Sequence, residues 1–464
     1  MLCKRTDVAL SVLQKRRTLQ KRCTLQKLGS LTVLLGLGCT HYQAKPITLT
    51  AIAAAQASHS IATPCIVAVQ PLSTRQWSEA ALIAAAECFN PALARANAAT
   101  KLAAANGSLA RQYPGLVLVL SAEYARHAPE ASKWLRGLSV ELPLDFGARK
   151  AVRLEAAAQT QLLSTLENTI AHRALAAEIG RSVDAIRAAQ QEQRLLQRRA
   201  QYQQDWLGFV VQRIAEGQIS LTERLKPQQD LLATQVALLR AQSAERAARS
   251  QLAQALGLPL AQVRSLAIQA DTLEAAAQPN AIKLQAALLV RPELLRALGQ
   301  YQLAELALRL EVARQYPELR LNPGYIWERG LVKLPLALGA ALPPLDGNRA
   351  AIAVAESARE LAARELEWLQ ATISSEIDLA FANQQAARAA YTLGLQQLET
   401  ANRENTAARA VFDAGELDQL GRLAAELHLS DVELTLHSLA VAQRHAQRTL
   451  ALALAVPTRM LEPN

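Results

Sequence analysis

Arg111-Gln112-Tyr113-Pro114-Gly115-Leu116 and Arg314-Gln315-Tyr316-Pro317-Glu318-Leu319 are nearly the same six residues written twice, about 200 positions apart. Three more landmarks recur in the same order and at nearly the same offset. Asn90-Pro91-Ala92-Leu93 returns as Arg291-Pro292-Glu293-Leu294. Leu142-Pro143-Leu144, with Gly147 and Arg149 behind it, returns as Leu342-Pro343-Pro344 with Gly347 and Arg349. Ala215-Glu216-Gly217-Gln218-Ile219 returns as Asp413-Ala414-Gly415-Glu416-Leu417. A period this long is no solenoid repeat; it marks two copies of one large unit.

Each copy reads the same way. A helix starts at the Asn-Pro or Arg-Pro pair and is stopped by Pro114 or Pro317. Two alternating strands follow, 116–124 and 135–144 in the first copy, 319–327 and 333–342 in the second. In the first pair Leu118, Leu120 and Tyr124 fall on one face and Val119, Ser121 and Glu123 on the other, while Leu138, Val140 and Leu142 oppose Ser139 and Glu141. In the second pair Leu321, Tyr325 and Trp327 oppose Arg320 and Asn322, and Leu336 and Leu338 oppose Ala337 and Gly339. This is period-two patterning with one strongly apolar face. Strands of this length span ~30 Å, enough to cross a bilayer at a tilt. Pro143 and Pro335 fall inside them and blur their ends. Trp134 and Trp327 sit at strand ends, where an interfacial aromatic belt belongs, though local packing accounts for two such residues nearly as well.

Behind each strand pair lies a long proline-free stretch, 148–187 and 348–386, with apolar residues three and four apart: Leu163, Leu166, Ile170, Ile179, Val183 and Ile186, then Leu366, Ile373, Ile377 and Phe381. Narrow stripes among Ala, Gln, Arg and Glu suit helices laid side by side in a coiled coil. Gly217 and Gly415 are expected to break helix, and further helices follow over 228–256 and 420–454.

Composition agrees. Alanine makes up about a fifth of the 464 residues and aromatics only 4%, which favours close-packed long helices over a large aromatic core. No apolar run reaches the ~20 residues of a membrane-spanning helix. The net charge of +10 is concentrated in the first 38 residues, where eight Lys and Arg face Asp7 alone. The rest is nearly balanced and makes no case for nucleic acid. That basic leader precedes an apolar run, 28–38, and then Cys39, so 1–38 reads as an export signal and Cys39 as a lipidation site, although Gly36 stands where such sites prefer Leu. Cys65 and Cys88 remain in the mature chain and could pair in an oxidising compartment; their spacing does not decide it.

Together these features resemble the TolC family of outer membrane efflux proteins over residues 71–456, the order of the landmarks carrying the likeness. The implied organisation is a signal peptide (1–38), an N-terminal segment (39–70), a first repeat (71–256), a linker (257–280), a second repeat (281–456) and a C-terminal tail (457–464). The implied fold is mainly α with a small β part. Three chains would form a hollow periplasmic α-barrel and give four strands each to a twelve-stranded transmembrane barrel. Leu118, Leu120, Val140, Leu321, Leu336 and Leu338 would face lipid. Helix turns near Arg187 and Gln385 would form the periplasmic tips, facing an adaptor protein or an inner-membrane pump.

No catalytic, cofactor or metal constellation is legible. The seven histidines form no H-x-x-x-H pair, and there is no G-x-S-x-G or phosphate loop. A passive duct for small molecules or ions is the first reading. A periplasmic coiled-coil scaffold and a protein-secretion duct are the alternatives.

Overall fold

The computed structural model describes residues 42–60, 76–124, 126, 133–145, 147–269, 290–328 and 330–454. Cys39, the leader, Cys65, the C-terminal tail and most of the linker lie outside them. Contacts divide the chain after Ala55. Most of helix α1 (Leu49–Ala57), which buries none of its residues, belongs to the first unit.

The second unit holds both copies. The first contains α2 (Glu79–Phe89), α3 (Pro91–Arg111), β1 (Val117–Tyr124), β2 (Trp134–Pro143), α4 (Ala148–Ala215), α5 (Leu225–Leu256) and the short α6 (Leu260–Arg264). The second contains α7 (Pro292–Ala313), β3 (Glu318–Glu328), β4 (Leu331–Lys333), β5 (Leu336–Ala341), α8 (Arg349–Asp413) and α9 (Gln419–Ala453). Asn90 caps α3 by accepting from the Leu93 N–H at 2.9 Å, with Pro91 in the first turn. Its amide also donates to the Ala255 carbonyl at 2.7 Å, tying the start of α3 to the end of α5.

α4 and α8 are single helices of 68 and 65 residues, about 100 Å each at 1.5 Å per residue. The turns expected near Arg187 and Gln385 are therefore not there: both residues lie inside unbroken helix. Neither helix contains proline, and the stretches beyond 187 and 385 are rich in Ala, Gln, Leu and Arg, all strong helix formers. The chain reverses only beyond Ala215 and Asp413, and α5 and α9 return along α4 and α8.

The main core lies where the middle of α4 meets the end of α5. Leu82, Ala86, Ile179, Val183, Ile186, Leu252 and Leu256 are almost fully buried, with Trp77, Val263 and Leu266 packed beside them. The start of the linker is thus part of the fold: Trp77 bridges to Ile268, and Leu258 and Val263 are buried. A smaller cluster in the second copy gathers Leu294, Ile373, Ile377, Ala380 and Leu450. Cys88, on α2, is disulfide-bonded.

The strands form one antiparallel sheet, β1-β2-β3, with β4 and β5 both paired to β3. The fourth strand, expected unbroken over 333–342, is divided at Leu334-Pro335. Pro335 has no N–H to give to the ladder, though its carbonyl accepts the Gly324 N–H at 2.7 Å.

Candidate functional site

Register settles which strand residues share a face. Leu118 lies opposite Val140, and Leu120 opposite Leu138, which faces Tyr325 in turn. Leu142 faces Leu321, Leu321 faces Leu338, and Pro323 faces Leu336. Leu118, Leu120, Val140, Leu321, Leu336 and Leu338 therefore lie on one continuous side of the sheet. That side is open: Leu120 is 75% exposed and Leu336 71%. A monomeric soluble protein rarely leaves so large an apolar patch bare.

The other side is polar. Arg320 reaches Glu141 at 2.5 Å and Glu318 at 3.6 Å, both across or along the ladder. Lys333 pairs with Glu328. Aromatic residues gather at the end of the sheet away from the helices, where Tyr124 and Trp134 meet edge to face at 5.1 Å and Arg136 lies over Trp327 at 6.0 Å. Among the described residues β1 pairs only with β2, and β4 and β5 only with β3, so the sheet has two open edges.

The junction between sheet and helices is held by arginines. Arg149 donates to the carbonyls of Ala313 at 3.2 Å and Tyr316 at 2.5 Å, and pairs with Glu318 at 3.5 Å. The beginning of α4 is thereby fastened to the end of α7. Arg153 holds the end of α3 through the Ala110 carbonyl at 3.1 Å and pairs with Asp145 at 2.6 Å. Guanidinium groups suit these places because the last carbonyls of a helix lack intrahelical donors and carry the negative end of its dipole.

At the far ends, Gly217 and Gly415 take φ of +73° and +79°. Each closes its helix in the same motif. Gly217 N–H donates to Ile214 and Gln218 N–H to Arg213; Gly415 N–H donates to Phe412 and Glu416 N–H to Val411. Arg213 and Asp418, 3.6 Å apart, link the two turns side by side. Sequence reading located the glycines but put the tips elsewhere.

A third cluster joins the copies at mid-height. Arg448 of α9 grips both Glu79 carboxylate oxygens, at 2.8 and 3.0 Å, and Asp184 at 2.7 Å. Burial works against its charge, but the hydrogen bonds it donates to Glu79 and Asp184 outweigh it and hold its pKa above the ordinary guanidinium value. Gly180 makes room, since a Cβ there would collide with the guanidinium. Nearby, a cavity of about 1090 Å³ between α4, α5 and α9 is lined by Arg181, Arg194, Arg444 and His437, among others. Burial lowers the His437 pKa. Among the described residues no group of three His, Cys, Asp or Glu side chains could hold a metal ion, and no helix is long and apolar enough to cross a membrane.

Residues 82–258 match the model of a family described as outer membrane efflux protein. No curated protein matches the chain. Several solved structures share the fold. The outer membrane protein VceC of Vibrio cholerae is 18% identical, with 82% of this chain and 96% of that one covered and a TM-score of 0.68. CusC, whose crystal structures concern folding and transmembrane channel formation, is 19% identical, with 84% and 96% covered and a TM-score of 0.68. The MtrE outer membrane channel of Neisseria gonorrhoeae, in its open state, is 19% identical, with 81% and 88% covered and a TM-score of 0.66.

Proposed function

We propose that this chain, which has the fold of outer membrane channels and carries the outer membrane efflux protein signature over its first copy, is the outer membrane duct of a tripartite efflux system. It would work as a homotrimer, taking small molecules or ions from an inner-membrane pump and a periplasmic adaptor and passing them outward without breaking a bond.

One observation carries this reading: a sheet with one bare apolar side, one polar side and two open edges, mounted on two helices each about 100 Å long. Lipid satisfies the apolar side, and closure satisfies the edges. One chain cannot close such a sheet. Two chains would give eight strands, whose interior fills with side chains, whereas three give twelve and leave a pore. The polar side, with Arg320, Glu141, Glu318 and Asn322, then lines the water-filled bore. The glycine turns beside Gly217 and Gly415 form the periplasmic tips that meet the adaptor or pump.

The test is recovery and conductance. The protein should fractionate with outer membranes, run as a trimer in mild detergent and open stable conductances in planar bilayers. A soluble monomer would favour a periplasmic scaffold instead. Cys39 is proposed to be acylated after cleavage behind Gly38, and palmitate labelling should vanish in Cys39→Ala. Equal labelling of that variant would refute the anchor and leave the barrel argument standing, because the strands hold the protein in the membrane by themselves.

A further inference from the structure

The two copies fold alike but do not have the same neighbours. α4 packs against α3 and α5 of its own copy and also against α7 and α9 of the other. α8, its counterpart, packs against its own α7 and α9 and, among the described residues, meets neither α3 nor α5. Half of the surroundings that α4 enjoys are missing around α8.

The consequence shows residue by residue. With the 198-residue offset of the glycine turns, Leu175, Ile179, Ser182 and Ile186 correspond to Ile373, Ile377, Ala380 and Gln384, and all eight are buried. Leu175, Ile179 and Ile186 pack in the core of the first copy, and Ile373, Ile377 and Ala380 in that of the second. The match fails where α4 meets the other copy. Leu163 lies against Gly299 of α7 and is 9% exposed, but its counterpart Leu361 is 61% exposed. Leu195 shares a cavity wall with Glu433 and His437 of α9 and is 5% exposed, but its counterpart Leu393 is 65% exposed. Missing partners on the opposite side are equally bare: Leu102 and Leu109 on α3, and Leu225, Leu232 and Leu239 at seven-residue spacing on α5.

The same asymmetry singles out one arginine. Arg149 clamps the end of α7 through the Ala313 and Tyr316 carbonyls, and its counterpart is Arg349. Arg349 is exposed and has no hydrogen-bond or ion-pair partner among the described residues. The counterparts of Ala313 and Tyr316, at the offset of the Gln-Tyr-Pro repeat, are Ala110 and Tyr113 at the end of α3. α8 does not meet α3 within the chain, so only another chain can bring them together.

We propose that Arg349 is an inter-subunit clamp, its guanidinium capping the carbonyls of Ala110 and Tyr113 of the partner subunit, so that a second copy of this chain seats α3 and α5 against the bare side of α8. The clamp rests on the oligomeric duct reading and deepens it. Repeating the intrachain junction head to tail uses a heterologous contact, which forms a ring when the rotation closes. The Ala110 carbonyl already accepts from Arg153 and keeps a second lone pair. One element of the cis clamp is absent in trans: Glu318, which pairs with Arg149, corresponds to Gly115, where a Cβ would meet nothing within 4 Å.

That difference makes a gain-of-function test possible. Arg349→Ala should raise trimer dissociation in detergent about tenfold per interface, the worth of a charged hydrogen bond. Gly115→Glu should slow dissociation in the parent and have no such effect beside Arg349→Ala, because the new carboxylate pairs with that arginine. The pair Arg349→Cys and Tyr113→Cys, treated with a bismaleimide about as long as an arginine side chain, should give dimer and trimer bands, while Arg149→Cys and Tyr316→Cys should be joined within one chain. A conducting trimer that shows no interchain cross-link, or in which Gly115→Glu and Arg349→Ala act additively, overturns the clamp and leaves the duct reading intact. A protein that never oligomerises in the outer membrane overturns both.

Discussion

Leu120→Arg and Leu336→Arg should each sharply reduce recovery of trimer from outer membranes, whereas Val119→Arg and Ala337→Arg should leave it close to the parent. Leu120 sits in a row with Leu138 and Tyr325, and Leu336 faces Pro323. Both lie on the bare apolar side and near the middle of the sheet. An arginine facing lipid at mid-bilayer costs about 2–4 kcal/mol in a barrel, and in the proposed trimer each chain repeats the defect. Val119 faces Ser139, and Ala337 faces Asn322, on the side that carries Arg320 and Glu141. A further positive charge there meets water and carboxylates. Equal loss on both sides would mean that the sheet packs as a soluble layer. Loss on the Val119 side alone would mean that the two sides have been assigned the wrong way round.

That prediction was within reach of the sequence because period-two alternation and strand register depend on nearest neighbours along and across short strands. The same holds for the repeat of Gln-Tyr-Pro stops and for the glycines, since a proline or a positive φ acts on its own turn of chain. The tips were misplaced for a related reason. The large apolar residues thin out beyond Ile186 and Phe381, which resembles the end of a helix. Alanine and glutamine continue the helix equally well and keep it packed on α5 or α9. Pro335 was visible inside the fourth strand, but only the ladder shows that β3 keeps its register on both sides of the interruption. The arginine clamps could not be read at all. Arg149 lies 164 and 167 residues from the carbonyls it holds, and Arg448 lies 369 residues from Glu79. Arg149 stands out only as a repeat landmark shared with Arg349, which does not say what it holds, and nothing local distinguishes Arg448 from the many arginines that coat the helices.

Arg448→Met should be among the most damaging single substitutions outside the sheet, lowering stability by about 3–5 kcal/mol. Arg448 is buried, and it neutralises Glu79 at the start of α2 and Asp184 in the middle of α4. Its removal leaves two carboxylates that solvent reaches poorly, facing a methionine that gives neither charge nor hydrogen bonds. The cost should therefore come from the abandoned carboxylates rather than from the lost arginine, and that distinction can be measured. Adding Glu79→Gln and Asp184→Asn to Arg448→Met should restore most of the thermal stability, followed by helical circular dichroism of the purified protein, because neutral groups in that position carry a much smaller desolvation cost. Gly180→Ala should show a milder form of the same defect by displacing the guanidinium from its seat. The cluster joins the first helix of one copy to the last helix of the other, so the loss should appear as early separation of α9 from α4 and not as fraying at the tips. A triple variant no more stable than Arg448→Met alone would show that the arginine contributes by packing its stem, and the charge argument would fail.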